Sequence, residues 1–187
     1  MPAHSHLIVG GQRSGKSGQA ERLALAWLNG APGRQVTVLA TAQAFDGEMQ
    51  ARIRRHQQDR PAGFGTLEEP LALAAALRAN ASAERLIVVD CLTLWLTNWL
   101  MPMHGVADLA AWATERQSLL DALPDLPGQL IFISNEVGWG VSPMTPESRH
   151  FVDELGHLNQ AVASRCDQLT LMVAGQAWSR SITPTGA

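Results

Sequence analysis

Apolar residues fall into two alternating patterns along the chain. Short, nearly continuous runs come first: "HLIV" (His6 to Val9), "VTVLA" (Val36 to Ala40), "RLIVVD" (Arg85 to Asp90), "QLIFIS" (Gln129 to Ser134) and "QLTLMVAG" (Gln168 to Gly175). They have strand length and carry few polar residues, so both faces of each strand are expected to be covered. Between them apolar positions recur at helical spacing. The spacing predicts helices from Ser17 to about Leu28, Asp46 to Arg60, Pro70 to about Ala79, Leu92 to Leu100, Ala107 to Leu123 and Pro146 to Ser164. Met49 and Ile53 lie one turn apart in the second of these. A short extra strand is expected around Phe64 to Glu68. Strand and helix in alternation imply an α/β fold, a mostly parallel sheet with helices on both faces. The expected organisation is one domain over residues 1–187, with "QLTLMVAG" as its last strand. The tail from Gln176 would be peripheral, with Trp178 able to pack back onto the body.

Composition narrows this picture little. The 187 residues are 46% hydrophobic and 17% charged, as in globular chains. A formal net charge of -3 gives no broad basic footprint for nucleic acid. Cys91 and Cys166 stand in no paired motif and read as buried thiols in a reducing compartment. The first residues show no basic segment followed by an apolar run, and "CLTLWLTNWLM" is too short to span a bilayer, which takes about 20 apolar residues. Cytoplasm is the expected setting, with no membrane span and no nucleic-acid partner.

Candidate chemistry changes the picture more. Gly10 to Ser17 reads G-G-Q-R-S-G-K-S, which fits G-x-x-x-x-G-K-[ST] between a strand and a helix. Glycines let backbone N–H groups turn inward around phosphate oxygens. Lys16 would reach the β- and γ-phosphates, and the Ser17 hydroxyl could ligate Mg²⁺. The helix that opens there adds its positive end. Asp90 closes an apolar strand at the edge where ligands of open α/β sheets gather. It could hold Mg²⁺, or it could simply cap the helix that starts at Cys91. Asn135 and Glu136 hold the equivalent place after "LIFIS", and lead into the glycine-containing "VGWGVSP" loop, where Trp139 is free to touch a ligand.

If Asp46 to Arg60 is helical, Glu48, Arg52, His56 and Arg60 share one face, with Arg55 beside it. That stripe reads either as a solvated charged face or as a nucleophile in a basic setting. Neighbouring guanidiniums disfavour an imidazolium and leave a neutral, nucleophilic imidazole. The same arginines can grip phosphate oxygens. Other histidines offer less. His4 and His6 could chelate a metal but stand in a terminal stretch expected to fray, and His150 and His157 lie two turns apart with no third ligand. Trp95 and Trp99, one turn apart, are expected in the core.

Taken together, "VGGQRSGKS", "TAQAFDGEMQARIRRHQQDRP", "TLEEP", "VVDCLTLWLTN", "ISNEVGWGVSP" and "RHFVDELGHLNQ" resemble, in order, the bifunctional adenosylcobinamide kinase / adenosylcobinamide-phosphate guanylyltransferase family. The resemblance runs from Val9 to about Gly175. It implies a RecA-like P-loop NTPase fold and a homotrimer. It implies phosphorylation of adenosylcobinamide by ATP or GTP, then transfer of GMP from GTP through a GMP–histidine intermediate, giving adenosylcobinamide-GDP and pyrophosphate. The guanylylated histidine would be His56. Nucleotide contacts would fall on Gly10, Gly11, Gln12, Arg13, Ser14, Gly15, Lys16, Ser17 and Gly18. They would continue through Thr41, Ala42, Gln43, Gln57, Gln58, Asp59, Arg60, Glu68 and Asp90, with Ser17 and Asp90 on Mg²⁺. From the residues alone two rivals stay open: a kinase without the guanylyl step, and a RecA-like nucleotide-dependent switch or DNA-binding ATPase.

Overall fold

The computed structural model describes residues 4–43 and 62–182. The expected helix from Asp46 to Arg60 lies outside the described residues, and with it Arg52, His56, Gln57, Gln58, Asp59 and Arg60.

Among these described residues seven strands form one sheet: β1 (Ser5–Gly10), β2 (Gln35–Ala40), β3 (Phe64–Glu68), β4 (Arg85–Asp90), β5 (Gln129–Asn135), β6 (Gln168–Val173) and β7 (Gln176–Ser181). Their order across the sheet is β3-β2-β4-β5-β1-β6-β7. Every pairing is parallel except β6 with β7. Among the described residues five α-helices accompany them: α1 (Lys16–Leu28), α2 (Leu73–Asn80), α3 (Leu92–Leu100), α4 (Leu109–Ala122) and α5 (Pro146–Ala163). This is the expected α/β fold of P-loop type, with the glycine-rich loop joining β1 to α1.

The apolar strands explain the layering. Successive side chains point to opposite faces. Leu7, Val9, Ile87, Val89, Leu130 and Phe132 meet α2 to α5 on one face. Ile8, Leu86, Val88, Ile131 and Ile133 meet α1 on the other, where Ala20 and Ala24, one turn apart, let the helix lie close to the sheet. Trp95 is fully buried, as expected, and meets Trp112 edge-on at 5.0 Å between ring centroids. Its indole N–H donates to the carbonyl of Leu71. Cys91 and Cys166 are buried and unpaired. Burial pushes their thiols up to about 11 and about 12.

Three expectations need correction. The helix expected from Pro70 begins at Leu73, because the Glu69 carboxylate accepts the Leu71 and Ala72 N–H groups and holds a turn there first. The last strand is β7, beyond "QLTLMVAG". Ala174 and Gly175 both have positive φ (51° and 78°), the geometry of a two-residue hairpin turn, and Gln176–Ser181 returns antiparallel to β6. Trp178 pairs with Leu171 in that ladder and stays 58% exposed. His6 is no frayed chelator. It lies inside β1, 6% exposed, with Nε2 2.7 Å from Thr170 Oγ1.

Candidate functional site

The carboxyl ends of the parallel strands bring the polar positions together. Register sets Ala40 beside both Glu68 and Asp90, Asp90 beside Ile133, and Gly10 beside Asn135. Gly10, Asp90, Asn135, Glu136 and Glu68 therefore line one edge of the sheet.

The phosphate loop is wound around its own backbone. The Ser14 N–H donates to the Gly11 carbonyl, and the Gly175 N–H of the β6–β7 turn donates to the Ser14 carbonyl. A side chain on Gly10 would collide with the Met172 carbonyl and sit 2.7 Å from Ser14 Oγ, so only glycine fits there. Gly15 precedes α1 with φ 102°, in the left-handed region, and no side chain caps that helix end. The first turn holds no acid either, so the positive end of α1 is left to the loop. Lys16 is buried, and its Nζ donates to the Gly10 and Gly11 carbonyls at 3.0 and 2.7 Å. Ser14 Oγ is buried with no hydrogen-bond partner among the described residues. Gln12 and Arg13 are exposed on the loop, Arg13 with φ 57°, and nothing would block a side chain at Gly11 or Gly18.

Asp90 ends β4, and the residue in the cap position of α3 is Cys91. The capping alternative for Asp90 therefore fails: its place is the sheet edge. Ser17, Glu21, Phe64 and Asp90 line one cleft under α1, floored by Ala20, Val38, Val88 and Ile133. A serine hydroxyl and the carboxylates of Glu21 and Asp90 line the same space beside a phosphate loop, and hard oxygen donors of this kind suit Mg²⁺.

Thr41 is wholly buried at the end of β2. Its hydroxyl donates to the Cys91 carbonyl at 2.7 Å and accepts the Cys91 N–H at 3.0 Å. Ala42 and Gln43 follow it, half-buried, and Glu68 is exposed at the end of β3. Sequence reading gave no role to three side chains that brace this edge. Asn98 donates to the Thr41 and Pro70 carbonyls at 2.7 and 2.9 Å. Thr93 Oγ1 accepts the Asn135 N–H at 2.9 Å. Asn159 donates to the Asn135 carbonyl at 3.0 Å and to Glu136 Oε1 at 3.4 Å. Their one signal in the sequence was a polar residue on an otherwise apolar helical face, as in "LTLWLTNWL".

The profile of the family described as cobinamide kinase / cobinamide phosphate guanyltransferase matches residues 6–179. The chain belongs to that family. Among its relatives, the bifunctional adenosylcobalamin biosynthesis protein CobP of Pseudomonas aeruginosa is 53% identical over 169 residues, 90% of this chain and 92% of that one. The proteins CobU of Salmonella typhimurium and of Escherichia coli, also described as bifunctional in adenosylcobalamin biosynthesis, are 37% and 34% identical over 178 residues, 90% of this chain and 95% of each. Family membership settles the choice among the readings left open above in favour of a transferase over a switch or a DNA-binding ATPase. Among the described residues, no helix of this family member is long and apolar enough to cross a membrane.

Proposed function

We propose that this chain carries out both family reactions on one phosphate loop. In the first, the hydroxyl of adenosylcobinamide attacks the γ-phosphorus of ATP or GTP. In the second, GMP passes from GTP to His56 and then to adenosylcobinamide phosphate. Pyrophosphate leaves, and adenosylcobinamide-GDP forms. The observation that carries this reading is the cradle itself: Lys16 folded onto the Gly10 and Gly11 carbonyls, the uncapped start of α1, and Asp90 across the cleft from Ser17.

Triphosphate oxygens offer the Lys16 ammonium a better partner than the neutral Gly10 and Gly11 carbonyls, since a negatively charged acceptor adds Coulomb attraction to the hydrogen bond. The buried hydroxyl of Ser14 gains an acceptor at the same time. Mg²⁺ would be held by Ser17 and Asp90 together with phosphate oxygens, and supplies neutralisation of the charge on the β- and γ-phosphates. Thr41, with its hydroxyl engaged by Cys91, would contribute through the backbone that it fixes, next to Ala42 and Gln43. His56 would attack the α-phosphorus as neutral imidazole, with Arg52 and Arg60 supporting the developing charge. Gln57, Gln58, Asp59, Arg60 and Glu68 complete the proposed nucleotide contacts. We further place the enzyme in the cytoplasm as a homotrimer built from one domain per chain.

Two labels of GTP test the guanylyl step. Label from α-³²P-GTP is expected to stay on the denatured protein in an acid-labile, alkali-stable bond, while label from γ-³²P-GTP leaves as pyrophosphate. His56→Asn is expected to abolish the protein label. A fully labelled His56→Asn protein would overturn the assignment and leave the phosphate loop in place.

A further inference from the structure

The order of the strands points to a second chemical residue. The phosphate loop leaves β1, and the acid proposed for Mg²⁺ ends β4. β5 lies between them, paired with β1 on one side and β4 on the other. A γ-phosphate held by Lys16 from one side and neutralised from the Asp90 side therefore lies over the end of β5. Asn135 ends that strand, and Glu136 is the next residue.

Glu136 is fixed in place more firmly than a loop residue needs. Its N–H donates to the Gly10 carbonyl at 3.1 Å, which ties it to the first residue of the phosphate loop. The residue before it is held at both backbone groups, its N–H by Thr93 Oγ1 and its carbonyl by Asn159. The same Asn159 amide, 6% exposed, meets one oxygen of the Glu136 carboxylate. That contact sets the carboxylate's direction and leaves its second oxygen for another partner. Past Glu136 the chain becomes an exposed apolar loop. Trp139, Val141 and Met144 are 70%, 98% and 95% exposed. A large acceptor with apolar faces would settle there, and its hydroxyl would approach the γ-phosphate from the Glu136 side.

We propose that Glu136 is the general base of the kinase step. The proposal rests on the kinase reading above. The acceptor's hydroxyl oxygen bonds to the γ-phosphorus, and the bond from that phosphorus to the β,γ-bridging oxygen breaks. The nucleoside diphosphate leaves, and the hydroxyl proton passes to the Glu136 carboxylate. No proton needs removing when a neutral imidazole attacks the α-phosphorus, so the base serves one half-reaction only.

Glu136→Gln separates the roles, because the amide keeps an oxygen for Asn159 and loses the ability to take a proton. Phosphorylation of adenosylcobinamide is expected to fall at least about 100-fold, the usual range for a lost general base. Self-guanylylation from α-³²P-GTP, and GMP transfer to supplied adenosylcobinamide phosphate, are expected to stay within about twofold, since neither uses that base. Glu136→Asp is expected to recover part of the kinase rate. Kinase activity close to wild type in Glu136→Gln would overturn the proposal. So would a parallel fall of both half-reactions with a lower melting temperature, which marks a structural role. A wild-type protein that takes GMP but never phosphorylates adenosylcobinamide would refute the kinase reading itself, and the base with it.

Discussion

Asp90 and Cys91 divide two tasks that one residue could have held. Asp90 is the last residue of β4 and lines the cleft with Ser17, while Cys91 occupies the cap position of α3 without a side-chain cap bond. Replacing the carboxylate therefore removes charge from the cleft and takes no cap from the helix. Asp90→Asn is expected to lower GTP turnover by at least about tenfold, the size of one lost charge-assisted contact of about 1.4 kcal/mol. Its stability is expected to change by less than about 1 kcal/mol. Turnover and denaturant midpoint, measured on the same preparation, check both. A destabilised protein with unchanged turnover would return Asp90 to a structural role. Thr41, Thr93 and Asn159 act at the same scale in another way, the two hydroxyls and the Asn159 amide N–H each engaging a backbone group of the sheet edge. Buried polar side chains of this kind hold geometry, since leaving any partner unpaired costs about 1–3 kcal/mol.

Between elements, a polar chain ties the three strands at one side of the sheet. His6 of β1 meets Thr170 of β6, whose hydroxyl lies 2.7 Å from Ser179 Oγ of β7. Burial holds the His6 imidazole down to about 4, from 6.5. The direction decides the pH dependence. Above 6.5 both folded and unfolded His6 are neutral and stability is complete. Below 6.5 the unfolded chain takes a proton that the folded chain refuses, so stability falls with pH until about 4. The accumulated loss from this residue is at most about 3 kcal/mol. Unfolding free energies measured from pH 7 to pH 4.5 are expected to decline less steeply in His6→Gln than in the wild type. Equal slopes would show that His6 titrates freely and that the three strands are not joined through a neutral imidazole.

For the molecule as a whole, the cradle links ligand to fold. Its loop is bonded to the β6–β7 turn through Gly175 and to the start of the apolar loop through Glu136. Ligand bound there engages only the folded chain. At a GTP concentration 100 times its Kd, binding is expected to add about 2.7 kcal/mol. For a chain of 187 residues that corresponds to a melting temperature raised by about 5–11 °C. Lys16→Ala is expected to lose more than half of that shift at the same concentration. It should also fail in both half-reactions, because both need the same phosphates held. An undiminished shift in Lys16→Ala would place the nucleotide elsewhere.

The sequence determined the layers and the cradle by itself. Apolar runs such as "RLIVVD" allow only strands buried on both faces, and "GGQRSGKS" between strand and helix is local chemistry, complete within eight consecutive residues. The edge strand β7 was not legible, because "QAWSRS" is exposed along its length and shows no buried face. It forms because the unsatisfied edge of β6 offers hydrogen bonds and Ala174–Gly175 turns the chain back. The tertiary structure alone decided which distant residues meet. Strand order set Glu136 between the phosphate loop and Asp90, and brought Asn159 to its carboxylate and Thr93 to the N–H of the preceding Asn135 from two helices. Spacing along the chain carries no information about strand order. That order follows from the burial of both sheet faces at once, which is a property of the assembled core.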